Sequence, residues 1–225
     1  MSQPEPAKIR LYRFMPAKWA MKSLETRELR IGRILELNDP FESTPGIEGL
    51  RDDAPLDLIR YHQKEAQVHF NRKFGLLSFS SHWKQPSLWG HYADSHRGVA
   101  LGFDHDRHPN LYEVDYTENR PVIHPSNPDP AYWQDRFIKT LTTKHICWKP
   151  ESEYRTIISL AGREYRDGNF FVGIPDEFLV LIEVILGCRC SVDEMEVEHI
   201  LTQSGFNGVS ITRAKLSVDK YEVEF

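Results

Sequence analysis

Two glutamates separated by one serine stand in the run Trp-Lys-Pro-Glu-Ser-Glu-Tyr-Arg at positions 148–155. We predict that this run opens a β-strand, in which alternate side chains lie on the same face. Glu151 and Glu153 would then point to the same side of the sheet. Two neighbouring carboxylates repel each other unless a cation, a sugar hydroxyl or a shared proton lies between them. The run therefore indicates a ligand or catalytic site; the alternative is a strand edge whose glutamates face water or pair with Arg155 and Lys149.

A second candidate segment, residues 89–98, combines aromatic, histidine and arginine side chains just before a predicted buried strand. Trp89 and Tyr92 are three positions apart, so they share one face of the short helix that we predict here. Their polar neighbours, among them His96, favour the wall of a ligand pocket, although two aromatic residues at this spacing are also typical of a core. Either ring could stack on a planar ligand.

Three shorter patterns provide further polar candidates. Arg13 lies between two aromatic residues on a predicted first strand, where its guanidinium could bind a phosphate or simply face water. Ser78 and Ser80 alternate with apolar residues on another strand, and their hydroxyls could orient a carboxylate or satisfy the backbone at the strand end. Asp39 and Glu42 lie in an Asn-Asp-Pro-Phe-Glu turn, and loops are where functional residues concentrate.

Other site chemistries lack their residue patterns. Cys188 and Cys190 stand without a second cysteine pair, and His91 and His96 are five positions apart, a poor helical spacing for joint ligation. We therefore expect no zinc site and include no metal ligand among the leading candidates. The sequence also lacks the glycine-rich phosphate loops of nucleotide hydrolysis and the nucleophile elbow of serine hydrolases.

Composition bounds the class of protein. The 225 residues carry a net charge of −5, with 40% hydrophobic and 27% charged residues, which is typical of a globular chain. No lysine–arginine block suggests a dedicated duplex-DNA surface, and no apolar run approaches the roughly 18 residues that span a bilayer. The first six residues lack a basic-then-apolar leader, and the three cysteines form no disulfide framework. We therefore expect a cytoplasmic protein without membrane association.

Hydrophobic periodicity predicts one α+β domain over residues 1–225, with a mixed, mostly antiparallel sheet and flanking helices. The strands do not alternate regularly with helices, which argues against a doubly wound parallel sheet. Predicted strands cover residues 9–14, 29–37, 75–81, 98–103, 111–116, 170–172, 179–186, 209–216 and 221–225, besides the strand that opens at Glu151. Predicted helices cover residues 16–26, 55–73, 87–93, 131–145 and 192–203, the last with Ser191 as N-cap and Glu194 completing a capping box.

Taken together, these segments resemble an uncharacterised bacterial family that is classed only as a domain of unknown function. The likeness covers nearly the whole chain and implies no activity by itself. It rests on residues 11–14, 38–42, 78–80, 88–92, 96–103, 143–145, 148–155 and 183–187.

A second resemblance does imply an activity. An arginine on the first strand, a Ser-x-Ser strand and a later Glu-x-Glu strand occur in the same order as in the Arg-Ser-Glu class of mono-ADP-ribosyltransferases. The resemblance implies an ADP-ribosyltransferase-like fold with NAD as the substrate. Arg13 would hold the pyrophosphate or the nicotinamide end of NAD, and Ser80 or Ser78 would orient Glu153.

The same resemblance implies roles for the remaining candidates. Glu153 would hydrogen-bond the 2′-hydroxyl of the nicotinamide ribose and stabilise the developing oxocarbenium ion. Glu151 would receive or activate the acceptor as a general base. Tyr92 or Trp89 would stack on the nicotinamide ring.

Three classes of function are consistent with these patterns. The first is an NAD-consuming enzyme that transfers ADP-ribose to a protein or nucleic acid, or hydrolyses NAD, in the manner of bacterial toxins or phage-defence effectors. It predicts that one cleft is lined by Arg13, Ser80, Tyr92 and Glu153.

The second class is a metal-dependent enzyme that processes phosphodiesters or nucleic acids, with Lys144 and Arg155 contacting phosphate. Its divalent cation would be held by four carboxylates, those of Asp39, Glu42, Glu151 and Glu153. The third class is a non-catalytic binding module, in which internal arginine and lysine side chains neutralise the carboxylates and no cleft is open.

Overall fold

The computed structural model describes residues 8–50, 53–106, 109–176 and 178–225. The first residues, on which the expectation of no leader rests, lie outside this described part. The helices of the described part are α1 (Ala17–Thr26), α2 (Leu56–Lys73), α3 (Pro86–Tyr92), α4 (Pro130–Leu141) and α5 (Glu194–Gln203). The strands are β1 (Ile9–Met15), β2 (Glu28–Arg30), β3 (Gly32–Arg33), β4 (Gly46–Ile47), β5 (Phe74–Ser80), β6 (Val99–His105), β7 (Leu111–Glu113), β8 (Asp115–Thr117), β9 (Val122–Ile123), β10 (Thr143–His145), β11 (Glu153–Ser159), β12 (Phe171–Gly173), β13 (Leu179–Leu186), β14 (Ser210–Arg213), β15 (Lys215–Leu216) and β16 (Val223–Glu224).

The central feature of the fold is an eight-stranded sheet. Its strands run in the order β14-β13-β6-β1-β5-β11-β7, and β3 pairs with part of β5. The pairs in this sheet are antiparallel apart from β13 with β14. Helices flank the sheet, so the predicted α+β class with a mostly antiparallel sheet is confirmed. Among the described residues, no helix is both long and apolar enough to cross a membrane.

The sheet is nearly divided between β1 and β5. Strand β1 pairs with β6 along its whole length, and β5 pairs with β11 along its whole length. Between β1 and β5, by contrast, the described chain has a single pair of facing residues, Tyr12 and Ser80. Because Ser80 is the last residue of β5, the rest of β5 is not paired with β1 and the two halves of the sheet separate there.

One face of the sheet carries the largest apolar core. Helix α1 contributes Ala20, Met21 and Leu24, and α5 contributes Val197 and Leu201, at the three- and four-residue spacings of a helix face. These side chains pack against the strand residues Leu11, Leu77, Leu101 and Phe103, which are all buried. Burial of this stripe accounts for the position of both helices against the sheet.

The opposite face has two smaller apolar clusters with a polar gap between them. The first cluster surrounds Trp89 of α3 and includes Tyr12. The second lies under α2 and α4 and includes Phe137 and Ile157. The side chains of Glu153 and Arg155 point to this same face, because they face Ser80 and Ser78 across the β5–β11 pair. The charged residues are therefore enclosed between apolar clusters.

Several predicted elements differ from the structure at their ends. The predicted strand 29–37 is divided into β2, β3 and a 3-10 segment, Ile34–Glu36. The predicted strand 111–116 is two strands, because β7 pairs with β11 whereas β8 pairs with β10. The predicted helix 131–145 ends at Leu141, and residues 143–145 form β10.

The N-cap predicted for the last helix is wrong. Helix α5 begins at Glu194, and the Asp193 carboxylate accepts a hydrogen bond from the Met195 backbone N–H at 3.0 Å. Ser191 precedes this cap by two residues and therefore cannot serve the same N–H groups. We expect Asp193→Ala to lower the free energy of unfolding by about 1 kcal/mol. Ser191→Ala is the matched control, and urea unfolding of both variants beside the wild type checks the difference.

Candidate functional site

A cavity of about 330 Å³ lies where β1 and β5 separate. Its walls include residues 12–14 of β1 and 78–80 of β5. Successive residues of a strand point to opposite faces, so only a gap between the two strands can be lined by three in a row from each. Of the ten predicted site residues, the eight that line this cavity are Arg13, Ser78, Ser80, Tyr92, Lys144, Glu151, Glu153 and Arg155.

Lys144 lies at the centre of three carboxylates at one end of the cavity. Its Nζ atom is 2.7 Å from Glu151 Oε2, 3.1 Å from Glu42 Oε1 and 3.2 Å from Glu153 Oε2. The aliphatic and ammonium parts are nearly inaccessible, with 2% of the side chain exposed. The Trp148 ring covers the ammonium at 4.8 Å. Lys144 is therefore a buried cation with fixed partners.

Arg155 completes the cluster from β11. Its Nε donates to Glu153 Oε1 at 2.7 Å and its Nη2 donates to Glu153 Oε2 at 2.9 Å, a two-point contact. Nη2 also contacts Glu42 Oε2, and Nη1 donates to the Leu141 carbonyl at 2.8 Å. The guanidinium thus binds two of the carboxylates that Lys144 binds. In formal charges, three carboxylates and two cations leave the cluster at −1.

Glu151 and Glu153 converge on Lys144, but not for the predicted reason. Glu151 ends the 3-10 segment Ile146–Glu151, and β11 begins only at Glu153. Ser152 between them has left-handed backbone angles, with φ 45° and ψ 53°. This turn brings both carboxylates to one cation. The prediction that both glutamates belong to one strand is therefore wrong for Glu151.

The charges of this cluster hold one another in the ionised form. Burial alone would raise the pKa of Glu153, but Arg155 and Lys144 outweigh it and lower this pKa to about 2. The nearby Ser78 hydroxyl also favours the ionised carboxylate. Burial alone would lower the pKa of Lys144, but Glu153 and Glu42 raise it above its usual value. Glu153 therefore carries its negative charge throughout the neutral range.

Tyr92 of α3 positions the other glutamate. Its hydroxyl donates to Glu151 Oε1 at 2.7 Å and accepts from the Asn38 side-chain amide at 3.2 Å. Burial raises the pKa of Tyr92 well above its usual value, so the phenol stays protonated and keeps donating. The Glu151 carboxylate is thus held on one side by a phenol and on the other by Lys144.

The Ser80 hydroxyl does not contact the Glu153 carboxylate. It lies 2.7 Å from the carbonyl oxygen of Glu151 and 2.9 Å from that of His82, and it accepts from the His82 N–H. Ser80 therefore fixes the backbone that carries Glu151. Of the two serines predicted to orient Glu153, Ser78 is the one that acts on its carboxylate.

Trp89 and His96 lie outside the cavity. Trp89 has no exposed surface, its Nε1 donates to the Trp83 carbonyl at 2.6 Å, and its ring packs edge-on against Phe14. His96 does not line the cavity, and its ring stacks on Trp89 with 6.3 Å between the ring centroids. Neither ring can stack on a ligand in the cavity, so the placement predicted for these two residues is wrong.

Arg13 enters the cavity from the opposite face of the sheet to Glu153. Its Nη2 donates to the Arg30 carbonyl at 2.9 Å. Its Nη1 is buried and has no hydrogen-bond partner within the described chain. Burial and, second, the charge of Arg30 lower the pKa of Arg13 to about 10, which leaves it cationic at neutral pH. Glu36 pairs with Arg30 rather than with Arg13. Arg13 is thus a cation that lines the cavity and has one donor without a hydrogen-bond partner among the described residues.

The four carboxylates of the metal hypothesis do not converge on one point. Glu42, Glu151 and Glu153 meet at the Lys144 ammonium, whereas Asp39 accepts a hydrogen bond from Trp148 Nε1 at 2.8 Å. Among the described residues, no group of three or more histidine, cysteine or acidic side chains has the arrangement of a metal site. The place that a metal would take between the glutamates is thus taken by an ammonium group.

Two contributors to the site were missed by the sequence reasoning. Arg30 lines the cavity beside Arg13, and Asn38 holds the Tyr92 hydroxyl. Arg30 shows no pattern that separates it from an ordinary surface residue. Asn38 has one signal, its place next to Asp39 in the acidic turn.

Comparison with known proteins identifies no relative: no family model, no curated protein and no solved structure matches the chain. The geometry of the site is therefore the basis on which its function is inferred.

Proposed function

We propose that the cavity binds NAD and that the protein breaks the bond between nicotinamide and ribose, as an ADP-ribosyltransferase-like enzyme. One observation carries the proposal. An unpaired guanidinium, Arg13, and a permanently ionised carboxylate, Glu153, line the same cavity from opposite faces of the sheet. NAD offers the two complementary groups, an anionic diphosphate and a ribose that becomes positive as nicotinamide leaves.

Arg13 is suited to the diphosphate. A guanidinium that is buried without an anionic partner destabilises the folded protein, because its desolvation is not offset by a contact. A phosphate oxygen at Nη1 would provide the missing hydrogen bond and the opposite charge. Arg30 lies on the same wall, but its charge is paired with Glu36, so Arg13 is the cation left for a phosphate there.

Glu153 is suited to the ribose. Cleavage moves the bonding electron pair onto the nicotinamide nitrogen and leaves positive charge on the sugar. A carboxylate fixed in its ionised form stabilises that charge without rearranging. The cluster of Glu42, Lys144, Glu151, Glu153 and Arg155 has one negative charge in excess, so its cations do not cancel the effect.

Glu151 is suited to accept a proton from the acceptor. Its carboxylate is fixed by Tyr92 and Lys144 and lines the same cavity. An acceptor hydroxyl or amine, or water, would attack the ribose carbon that nicotinamide leaves and would give its proton to Glu151. The products are nicotinamide and an ADP-ribosylated acceptor, or free ADP-ribose if water attacks.

Replacing Arg13 tests the proposal without weakening the fold. We expect Arg13→Met to abolish NAD binding by calorimetry and to lower nicotinamide release at least tenfold. Its thermal midpoint should equal or exceed that of the wild type, because the variant removes a buried charge that has no anionic partner. The matched control is Arg10→Met on the same strand, where the guanidinium is 45% exposed and already paired with Asp104 and Glu183.

Two results would contradict the proposal. One is a wild-type protein that neither binds NAD nor releases nicotinamide. The other is an Arg13→Met variant that releases nicotinamide at the wild-type rate.

The pairing of the carboxylates favours a second candidate, a non-catalytic module that binds NAD or a related anion. Glu153 has only 6% of its surface exposed and contacts Arg155 at two points. In such a module these contacts would serve the fold alone. NAD binding that depends on Arg13, with no release of nicotinamide by the wild type, would identify this second candidate.

A further inference from the structure

A second cavity, of about 600 Å³, lies beside the first. The two cavities share three lining residues, Asn38, Glu42 and Lys144. The Asn-Asp-Pro-Phe-Glu turn at positions 38–42 lines the second cavity throughout and the first at both of its ends. A ligand in the second cavity would therefore lie next to the site of bond breakage proposed above.

An exposed aromatic ring forms one wall of the second cavity. Phe41 is 64% exposed, although a large apolar side chain normally avoids water. Its backbone N–H donates to Asp39 Oδ1 at 2.9 Å, which fixes the turn that presents the ring. In the free protein this turn holds an apolar ring in water, which is unfavourable. A planar ligand stacked on Phe41 would cover the ring.

A second ring lies on the same cavity and is held by the same turn. Trp148 lines the cavity, and its Nε1 donates to Asp39 Oδ2. One carboxylate, Asp39, therefore fixes both aromatic walls. This accounts for Asp39, whose carboxylate takes no part in the cluster around Lys144.

A cation lies above the exposed ring. The Arg120 guanidinium is 5.1 Å from the Phe41 ring centroid. Arg120 is exposed and forms no ion pair with any carboxylate in the described chain. Because this guanidinium has no anionic partner, a nucleotide could take its place on the ring: the base would stack on Phe41, and the phosphate would pair with the displaced Arg120.

We propose that the cavity between Phe41, Trp148 and Arg120 binds a nucleoside monophosphate, either free or as part of a single strand, and that this nucleotide is the acceptor. The acceptor role rests on the proposed NAD chemistry, whereas the binding itself does not. In the transfer, a nucleophilic nitrogen or oxygen of the nucleotide forms a bond to the ribose carbon of NAD. Nicotinamide leaves with the bonding electron pair, and the proton of the nucleophile passes to Glu151.

Binding of adenosine monophosphate, measured by calorimetry in the absence of NAD, tests the site. We expect Phe41→Ala to weaken binding about tenfold through lost stacking. Arg120→Met should weaken binding by a similar factor through the lost phosphate contact. Tyr221→Ala is the matched control, because it removes another exposed aromatic ring that does not line this cavity. Equal affinities for all four proteins, or no binding by the wild type, would overturn the proposal.

Two further titrations define the ligand and its role. A single-stranded octamer of adenylate, titrated beside the monophosphate, shows whether the site prefers a strand, and tighter binding of either form supports the nucleotide assignment. Adenosine monophosphate binding that persists at saturating NAD supports the acceptor role. Mutual exclusion would overturn that role, since the cavity would then hold the adenosine end of NAD itself.

These readouts separate the two proposals. Because the binding measurement needs no turnover, a wild type that binds the nucleotide without releasing nicotinamide contradicts the NAD chemistry and the acceptor role that rests on it, and it leaves the nucleotide site standing. A wild type that releases nicotinamide but binds no nucleotide contradicts only the second site.

Discussion

Lys144→Met is expected to lower the free energy of unfolding by about 3–5 kcal/mol, because it leaves three buried carboxylates without their shared cation. Methionine fills nearly the same space as the four-carbon stem of lysine. The loss of stability therefore measures the removal of the charge rather than the creation of a cavity. In the wild type the ammonium is within 3.2 Å of Glu42, Glu151 and Glu153. Arg155 remains in the variant, but a single guanidinium cannot neutralise all three.

Urea unfolding at pH 7 measures this loss. The matched control is Lys139→Met, which removes an exposed lysine from α4 and should change stability by less than about 0.5 kcal/mol. The difference between Lys144→Met and the wild type should shrink as the pH falls, because protonated carboxylates no longer repel one another. Equal unfolding midpoints for Lys144→Met and Lys139→Met would show that the cluster contributes no stability.

The second large effect is a loss of stability in acid that is specific to Glu153. Its pKa is about 2 in the folded protein against an ordinary value of 4.5, so the unfolded chain binds the proton first. The stabilisation is fully present above about pH 4.5 and is lost as the pH falls from there toward 2. A shift of this size corresponds to roughly 3 kcal/mol.

Free energies of unfolding between pH 6 and pH 2.5 test this assignment. Glu153→Gln should be destabilised at pH 6, and its curve should fall less steeply than that of the wild type below pH 4.5. Glu25→Gln provides the control, since Glu25 is 53% exposed on α1 and should leave the pH dependence unchanged. If Glu153→Gln kept the full acid sensitivity of the wild type, the loss would have to come from other carboxylates.

The sequence was a good guide to elements whose periodicity is strong. Strand β13 has the predicted bounds, and α1 and α2 are shifted by one residue at their first turns. The sequence pattern predicts a helix at Lys144, whereas this residue lies in strand β10. The threonines at 140, 142 and 143 direct their hydroxyls to the carbonyls four residues earlier at the end of α4. These hydrogen bonds satisfy backbone carbonyl groups of the last turn, where the helix ends. Hydrophobic periodicity does not reveal this competition between side-chain and backbone hydrogen bonds.

The sequence identifies most residues of the candidate site, but it does not predict the contacts between them. Glu151, Glu153, Arg13 and Tyr92 line one cavity, as their residue types had suggested. Glu42, however, meets Arg155 across 113 positions of sequence, a contact that no local pattern encodes. The left-handed Ser152 was equally hidden, because serine is not a residue type that marks such a turn.

The near-division of the sheet has a thermodynamic consequence. Within the described residues, Tyr12 and Ser80 form the single backbone pair between the two halves, and the cavity takes part of its wall from each half. A ligand in the cavity would therefore contact both halves of the sheet, and its binding to the folded protein would add to the stability of the whole sheet. Resistance to unfolding should then rise with the concentration of the true ligand. A screen of thermal midpoints against small molecules can thus find that ligand without any assumption about the reaction.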